Sequence, residues 1–147
     1  MYETVLLPTD GSEASLAAAE HAGSLARTNG ATVRIVSVAD SRNRFESPSS
    51  GLAPEAWEQA ERDRAAAAID ETVERLPDDV PVERSVVVGI PQDEILDQIA
   101  EADADVVVMG THSRSGIDRY LIGSVTERVM RHASVPVLTV RDGDVSR

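Results

Sequence analysis

Two stretches in the last third of the chain decide the fold: VVVMGTHSRSG at residues 106–116 and GSVTE at residues 123–127. A short apolar run ends at Gly110, a polar turn follows, and a second glycine precedes a helical segment. This order predicts exposed backbone N–H groups and a helix N-terminus at the end of a buried strand, and both attract an anion. Ser124 is predicted as the N-cap, with Glu127 completing a capping box. The pattern indicates a nucleotide-binding α/β domain.

Apolar segments alternate with helical ones along the chain, which predicts a parallel sheet whose strands are joined by crossover helices. Strands are predicted at Val5–Leu7, Thr32–Val38, Val82–Val88, Asp105–Met109 and Val135–Val140. Helices are predicted at Glu13–Arg27, at Pro54–Leu76, around Ile95, Leu96 and Ile99, and from about Ser124 to His132. The polar segment Ser41–Gly51 is predicted as a loop or a lid. No linker divides residues 1–147, so one domain is expected.

Two of the predicted strands end in residues suited to a ligand site. The first strand ends at Pro8-Thr9-Asp10, and the fourth ends at Met109-Gly110. In open α/β sheets, ligands bind beyond the carboxyl ends of the strands, at the point where the strand order reverses. If these two strands are neighbours, both ends line one crevice.

Composition excludes several classes of protein. The net charge is −12, which disfavours nucleic acid as the partner because phosphate backbones would be repelled. All 14 basic residues are arginine, and without lysine there is no P-loop, kinase lysine or Schiff base. The absence of cysteine excludes disulfides, thiol catalysis and Cys-based zinc sites. No apolar run approaches the roughly 18 residues of a membrane span, so a cytoplasmic protein is expected.

The acidity itself has two explanations. One is an ordinary acidic surface, and the other is adaptation to a cytoplasm that contains molar salt. In such a solution the Debye length falls to about 3 Å, which cancels the self-repulsion of a highly charged protein. We favour the second explanation, which predicts a halophilic source.

Three segments resemble the universal stress protein family, and the likeness covers nearly the whole chain. VLLPTDGSE at residues 5–13 resembles the family's first strand and turn, and VGIP at residues 88–91 resembles its mid-chain turn. Residues 109–125 resemble the motif Gly-x2-Gly-x9-Gly-(Ser/Thr) of the ATP-binding branch. The resemblance implies an open parallel five-stranded sheet ordered 3-2-1-4-5 with helices on both faces. It also implies a homodimer with a site for ATP or another adenine nucleotide.

The resemblance assigns binding roles by position. Gly110 would begin the phosphate loop, and Gly123 with Ser124 would close on the phosphates. Val38 would meet the adenine from the end of strand two. Asp10 would either cap the first helix or help to hold Mg²⁺ or Mn²⁺ through phosphate. The implied nucleotide-binding residues are Pro8, Thr9, Asp10, Val38, Met109, Gly110, Thr111, His112, Ser113, Arg114, Ser115, Gly116, Gly123, Ser124, Val125 and Thr126.

One position departs from the family motif, because Ser113 stands where its second glycine is expected. If the backbone there needs a positive φ, serine costs on the order of 1 kcal/mol. Its N–H group and hydroxyl can still donate to a phosphate oxygen. Arg114 is either a solvated loop residue or the cation that neutralises phosphate. His112 is either exposed to solvent or in contact with the nucleotide.

Val135–Val140 would form an apolar strand at the edge of the sheet, and pairing with a second copy across a two-fold axis would bury it. The expected function is a dimeric stress-response sensor or regulator that binds an adenine nucleotide and signals to an unknown protein partner. The alternatives are a slow ATPase or nucleotidyl transferase, and a nucleotide-free dimeric interaction protein in which Ser113 marks the loss of binding.

Overall fold

A computed structural model describes residues 1–44, 53–112 and 122–142 of the chain. The strands in this part of the chain are β1 (Thr4–Pro8), β2 (Thr32–Asp40), β3 (Val82–Gly89), β4 (Val106–Gly110) and β5 (Val137–Val140). The α-helices are α1 (Glu13–Asn29), α2 (Pro54–Val73), α3 (Pro91–Glu101) and α4 (Ser124–His132). A short 3₁₀ helix, Ser41–Arg44, begins the segment predicted as a loop, and residues 45–51 of that segment lie outside the described residues. No helix in the described ranges is long and apolar enough to cross a membrane.

The five strands form one parallel sheet in the order β3-β2-β1-β4-β5, which confirms the predicted fold class and strand order. The strands do not end at the same level. Pro8, the last residue of β1, pairs with Val36, while β2 continues to Asp40 beside Gly89 of β3. The ends of β2 and β3 therefore project beyond the carboxyl edge of the central strand.

Alternate residues of the strands pack against helices on opposite faces of the sheet. Val5, Leu7 and Ile35 belong to a buried cluster that also contains alanines from the middle and end of α1 and Ile69 of α2. The second cluster contains buried residues of the other face together with residues of α3 and α4: Leu6, Val36, Ile95, Ile99, Val107, Met109 and Val129. Both faces of the sheet are covered, as the continuous apolar strands require.

Several element ends differ from the sequence prediction by one to three residues, and three of these differences have a local cause. Helix α2 ends at Val73 instead of Leu76, because the N–H groups of Arg75 and Leu76 bond to carbonyls three residues back and the α-helical pattern stops. Strand β5 begins at Val137 instead of Val135, since Pro136 has no N–H group to donate to a ladder. Strand β4 begins one residue after Asp105, whose carboxylate instead accepts hydrogen bonds from backbone N–H groups at the start of β1.

Candidate functional site

The carboxyl edge of the sheet holds a cavity of about 400 Å³, which we call the edge cavity. The predicted nucleotide-binding residues that line it are Pro8, Thr9, Asp10, Val38, Met109, Gly110, His112, Gly123, Ser124, Val125 and Thr126. Thr111 is not among the lining residues, but its carbonyl oxygen accepts a hydrogen bond of 2.7 Å from the Gly123 N–H. Ser113, Arg114, Ser115 and Gly116 lie outside the described residues. The structure therefore brings the predicted residues of β1, β2, β4 and α4 to one cavity.

The start of α4 forms one end of the edge cavity. The first intrahelical hydrogen bond runs from the Glu127 N–H to the Gly123 carbonyl (2.9 Å), so the N–H groups of the preceding helical residues have no acceptor within the helix. The Thr126 hydroxyl donates to the Gly110 carbonyl at 2.8 Å and holds the end of β4 against the helix. N–H groups and a helix dipole directed at a cavity favour an anion there.

The capping box predicted for α4 is wrong. Gly123 is the N-cap residue, with extended dihedral angles, and Ser124 is already the first helical residue. Gly123 makes no side-chain capping hydrogen bond, since it has no side chain. The N-cap residue therefore supplies no side-chain acceptor that would compete with a ligand for the N–H groups.

Gly110 is required by helix packing. A Cβ atom added there would lie 2.7 Å from the Ala14 Cβ and 2.8 Å from the Ala14 carbonyl carbon. The glycine lets α1 approach the end of β4 closely. At Gly123 the added Cβ would lie 3.2 Å from the His112 Cα, which is a milder crowding. Gly110 is therefore needed for the close packing of α1 on β4, whereas Gly123 lies beside the backbone of His112 with more space.

The turn between β1 and α1 is fixed by a network of side-chain hydrogen bonds. Ser12 is the N-cap of α1, and its side chain accepts from the Ser15 N–H at 3.2 Å. The Asp10 carboxylate accepts from the Ser12 N–H (3.0 Å) and the Ser15 hydroxyl (2.9 Å) through the same oxygen, Oδ1. Asp10 therefore supports the cap, and the prediction that it caps α1 itself is wrong.

Metal binding by Asp10 stays a prediction. Within the described ranges, no three His, Cys, Asp or Glu side chains are grouped closely enough to hold a metal ion. A carboxylate oxygen is a suitable ligand for Mg²⁺, which usually retains waters and binds through one or two carboxylates together with substrate phosphates. Asp10 fits that mode, in which phosphates and waters supply the remaining ligands.

His112 is largely covered. Its side chain is 13% exposed, and Nε2 lies 3.7 Å from the Asp142 Oδ2. Of its two predicted alternatives, exposure to solvent is wrong, and contact with a nucleotide stays a prediction. The N–H group of the neighbouring Thr111 donates to the Val140 carbonyl. A backbone hydrogen bond therefore links the segment beside the edge cavity to the last residue of β5.

The opposite end of the edge cavity is charged, and sequence reasoning missed it. Asp40 binds Arg42 through both oxygens, at 2.9 Å from Nε and 2.8 Å from Nη2. On α2, Glu61 pairs with Arg64 at 3.3 Å. The lining residues that were not predicted are Ser15, Val36, Asp40, Arg42, Glu61, Arg64, Pro91 and Ile95.

A signal for Glu61 does exist in the sequence. Helix α2 buries Trp57, Glu61, Ala65, Ala68 and Thr72, which follow one another at intervals of three or four residues. Residues at this spacing share one face of a helix. A carboxylate in the middle of such a buried stripe is unusual, because burying a charge carries a desolvation cost that its partners must offset. That irregularity marks the position.

Comparisons with known proteins agree with the fold. The profile described as "Universal stress protein family" matches residues 1–141. Universal stress protein MJ0531 of Methanocaldococcus jannaschii is 35% identical over 148 residues, which cover 96% of this chain and 83% of that protein.

Two solved structures extend the comparison to three dimensions. Universal stress protein UspA from Lactobacillus plantarum superposes with a TM-score of 0.79 at 25% identity, over 95% of this chain and 98% of that one. A universal stress protein crystallised in complex with cAMP gives a TM-score of 0.66 at 28% identity, over 97% of this chain and 99% of that one.

Proposed function

We propose that this chain, which belongs to the universal stress protein family, binds an adenine nucleotide in the edge cavity. The observation that carries the proposal is that the two ends of this cavity differ in chemistry. Helix α4 presents N–H groups at one end, and β2 provides an apolar wall at Val36 and Val38 toward the other. The first environment suits phosphate and the second suits a base.

The dimensions of the sheet fit this orientation. Strand β1 lies between β4 and β2, and neighbouring strands are about 4.8 Å apart, so the two ends of the site are separated by about 10 Å. A nucleoside phosphate extended along the carboxyl edge bridges that span. Its sugar would then lie over Pro8 and Asp10 at the end of β1.

The relative in complex with cAMP supports an adenine nucleotide as the ligand class. Within that class we propose ATP, with the segment Ser113–Gly116 completing the phosphate side and Asp10 holding Mg²⁺ or Mn²⁺ through phosphate. The metal would supply positive charge to the phosphates. The residues of this chain would bind and orient the nucleotide.

We also propose that the protein works as a homodimeric sensor in a salt-rich cytoplasm. Strand β5 is at the sheet edge, where β4 is its partner on one side, and Leu138 on this strand is exposed. Pairing of β5 with a second copy would continue the sheet. Because Thr111 bonds to the end of β5, occupation of the edge cavity would be communicated to that edge and to a protein partner.

The proposal is tested by thermal unfolding in molar KCl with and without ATP and Mg²⁺, together with an assay for phosphate release. We expect a rise in Tm without release of phosphate. The Gly123→Val variant provides the control, because its side chain would fill the space beside His112 and the start of α4. It should fold and show no rise. Steady phosphate release would favour an ATPase, and no rise in the wild type would favour a nucleotide-free interaction protein.

A further inference from the structure

We propose that Thr72 of α2 is a positioning residue of the nucleotide site. Its hydroxyl holds the Thr9 side chain and thereby fixes residues 9–12, the β1–α1 turn, against which the nucleotide would rest. Thr72 is fully buried and is not among the residues that line the edge cavity, so it acts through Thr9, which does line it. The inference rests on the proposed function.

The hydrogen bonds of Thr72 and Thr9 determine which hydroxyl donates to the other. Thr72 Oγ1 donates to the Ala68 carbonyl at 2.8 Å, and this bond uses its only hydrogen. In the 2.7 Å contact between Thr72 Oγ1 and Thr9 Oγ1, Thr9 is therefore the donor. Thr9 Oγ1 also accepts from the Gly11 N–H at 3.2 Å. A directed chain of hydrogen bonds thus runs from Gly11 through Thr9 and Thr72 to Ala68.

This direction determines what Thr9 can offer a nucleotide. Its one hydroxyl hydrogen is directed to α2, and an ionised phosphate oxygen can only accept hydrogen bonds. While the chain of bonds is intact, the Thr9 hydroxyl does not donate to a phosphate. Thr9 therefore contributes to the site through its position, and that position depends on Thr72.

The backbone of Thr9 is held separately, by β2. Its N–H group donates to the Val36 carbonyl at 2.9 Å, and its carbonyl accepts from the Ser37 hydroxyl at 2.7 Å. Strand β2 thus fixes the main chain of Thr9, and α2 fixes its side chain. Since Thr9 is only 6% exposed, a hydroxyl that lost its acceptor on α2 would have to rotate within a packed environment.

The Thr9 side chain is the first of three that shape the β1–α1 turn. Its bond from the Gly11 N–H spans two residues, and Gly11 has φ of +79°, a conformation that glycine adopts without strain. The Asp10 carboxylate then accepts from the Ser12 N–H at 3.0 Å, and the Ser12 side chain caps α1. Because Asp10 lines the edge cavity, rotation of Thr9 would disturb a residue that faces the nucleotide.

The requirements of α2 alone do not explain both bonds of Thr72. The same face of the helix buries Ala65 and Ala68, and threonine is a weaker helix former than alanine. A buried hydroxyl needs a hydrogen-bond partner, and the Ala68 carbonyl already meets that need. The second bond serves Thr9, whose buried donor would otherwise lose its acceptor. Thr72 therefore links α2 to the nucleotide site.

The test measures the affinity for ATP with Mg²⁺ in molar KCl by titration calorimetry. Thr72→Val nearly keeps the shape of the side chain but removes the acceptor. If returning Thr9 to its wild-type position costs one ordinary hydrogen bond, the affinity should fall by about 2- to 12-fold. Thr72→Ser keeps the hydroxyl and should bind ATP as the wild type does. Thr72→Ala, which also lacks the hydroxyl and favours the helix, gives the same comparison if Thr72→Val does not fold.

Two further variants separate positioning from general loss of stability. Thr9→Val removes the same bond from its other side, so adding Thr72→Val to it should cause no further loss of affinity. Ile69→Val is the matched control, because Ile69 is buried in the core on the same helix. It should lower Tm and retain the wild-type affinity.

Several results would overturn the inference while leaving adenine-nucleotide binding intact. They are wild-type or tighter binding by Thr72→Val, equal losses in Thr72→Val and Thr72→Ser, and additive losses in the double variant. An equal loss of affinity in Ile69→Val would also overturn it, since the effect would then follow stability. Failure of the wild type to bind ATP would overturn the proposed function and this inference with it.

Discussion

Replacing Gly110 by alanine tests the close approach of α1 to β4. The new Cβ would lie 2.7 Å from the Ala14 Cβ and 2.8 Å from its carbonyl carbon, whereas ordinary contacts begin at 3.4 Å. Because the obstruction includes backbone, no side-chain rotation relieves it, and α1 must move away from the strand by about 0.7 Å. Overpacking of this kind costs about 1–3 kcal/mol. For a chain of this size we expect Tm to fall by roughly 2–12 °C.

Thermal unfolding followed by circular dichroism measures this cost, and two other glycines serve as comparisons. At Gly30 an added Cβ meets nothing within 4 Å, but φ is +66°, so Gly30→Ala isolates the backbone cost of about 1 kcal/mol. At Gly123 the nearest atom is 3.2 Å away and φ is −70°, so Gly123→Ala should cost less than Gly110→Ala. A Gly110→Ala variant as stable as the wild type would refute the packing argument.

Three further perturbations test individual contacts through Tm. Ser12→Ala removes the side-chain cap of α1 and should lower the free energy of unfolding by about 1 kcal/mol. Ser124 is not a cap, so Ser124→Ala should change it by less than about 0.5 kcal/mol. Equal losses in the two variants would contradict the assignment of the caps. Backbone N–H groups of Glu3 and Thr4 donate to the Asp105 carboxylate and lower its pKa from 3.8. The ionised side chain therefore stabilises the fold above pH 3.8, and this stabilisation is lost as the pH falls through the lowered pKa. Asp105→Asn should therefore lower Tm at pH 7 and have the Tm of the wild type in strong acid. A difference in Tm that does not change with pH would contradict this role of the Asp105 carboxylate. The pKa of Glu94 is raised above 4.5, mainly by burial and further by the negative charges of Asp97, Asp93 and Glu101. The ionised side chain therefore destabilises the folded protein at pH 7. Glu94→Gln should raise Tm at pH 7, with the gain vanishing below pH 4.5, and a lower Tm at pH 7 would show that the carboxylate is stabilising.

The order of the elements and the place of the site could be predicted because they depend on local patterns. Continuous apolar strands alternate with helical segments, and the ends of β1 and β4 carry polar and glycine residues where parallel strands bind ligands. These signals are repeated along the chain and agree with one another. An error of one residue in an element does not alter them.

The start of α4 could not be predicted to the residue. A serine followed three residues later by glutamate fits a capping box, but the same letters fit a helix that begins at the serine. The Gly123 carbonyl accepts the first intrahelical bond, which makes Gly123 the cap. The hydrogen bond from the Thr126 hydroxyl to the Gly110 carbonyl at the end of β4 favours this frame.

The charged end of the edge cavity was missed for a different reason. Helix α2 is rich in alanine, glutamate and arginine, so its apolar face is weakly marked in the sequence. Which of its carboxylates turns inward depends on how the helix docks on β2 and β3. Glu61 is spaced to share a face with Trp57 and Ala65, but alanines lie on several faces of α2, so packing is needed to show which face is buried.

Equilibrium dialysis against radiolabelled ATP with Mg²⁺ in molar KCl tests the central claim most directly. The wild type and Gly123→Val are dialysed in parallel, and the bound nucleotide is identified by chromatography after denaturation. The account predicts saturable binding approaching one adenine nucleotide per wild-type chain and its loss in Gly123→Val. Absence of bound nucleotide in a folded wild-type protein, or equal binding by the variant, would contradict the placement of the site in the edge cavity.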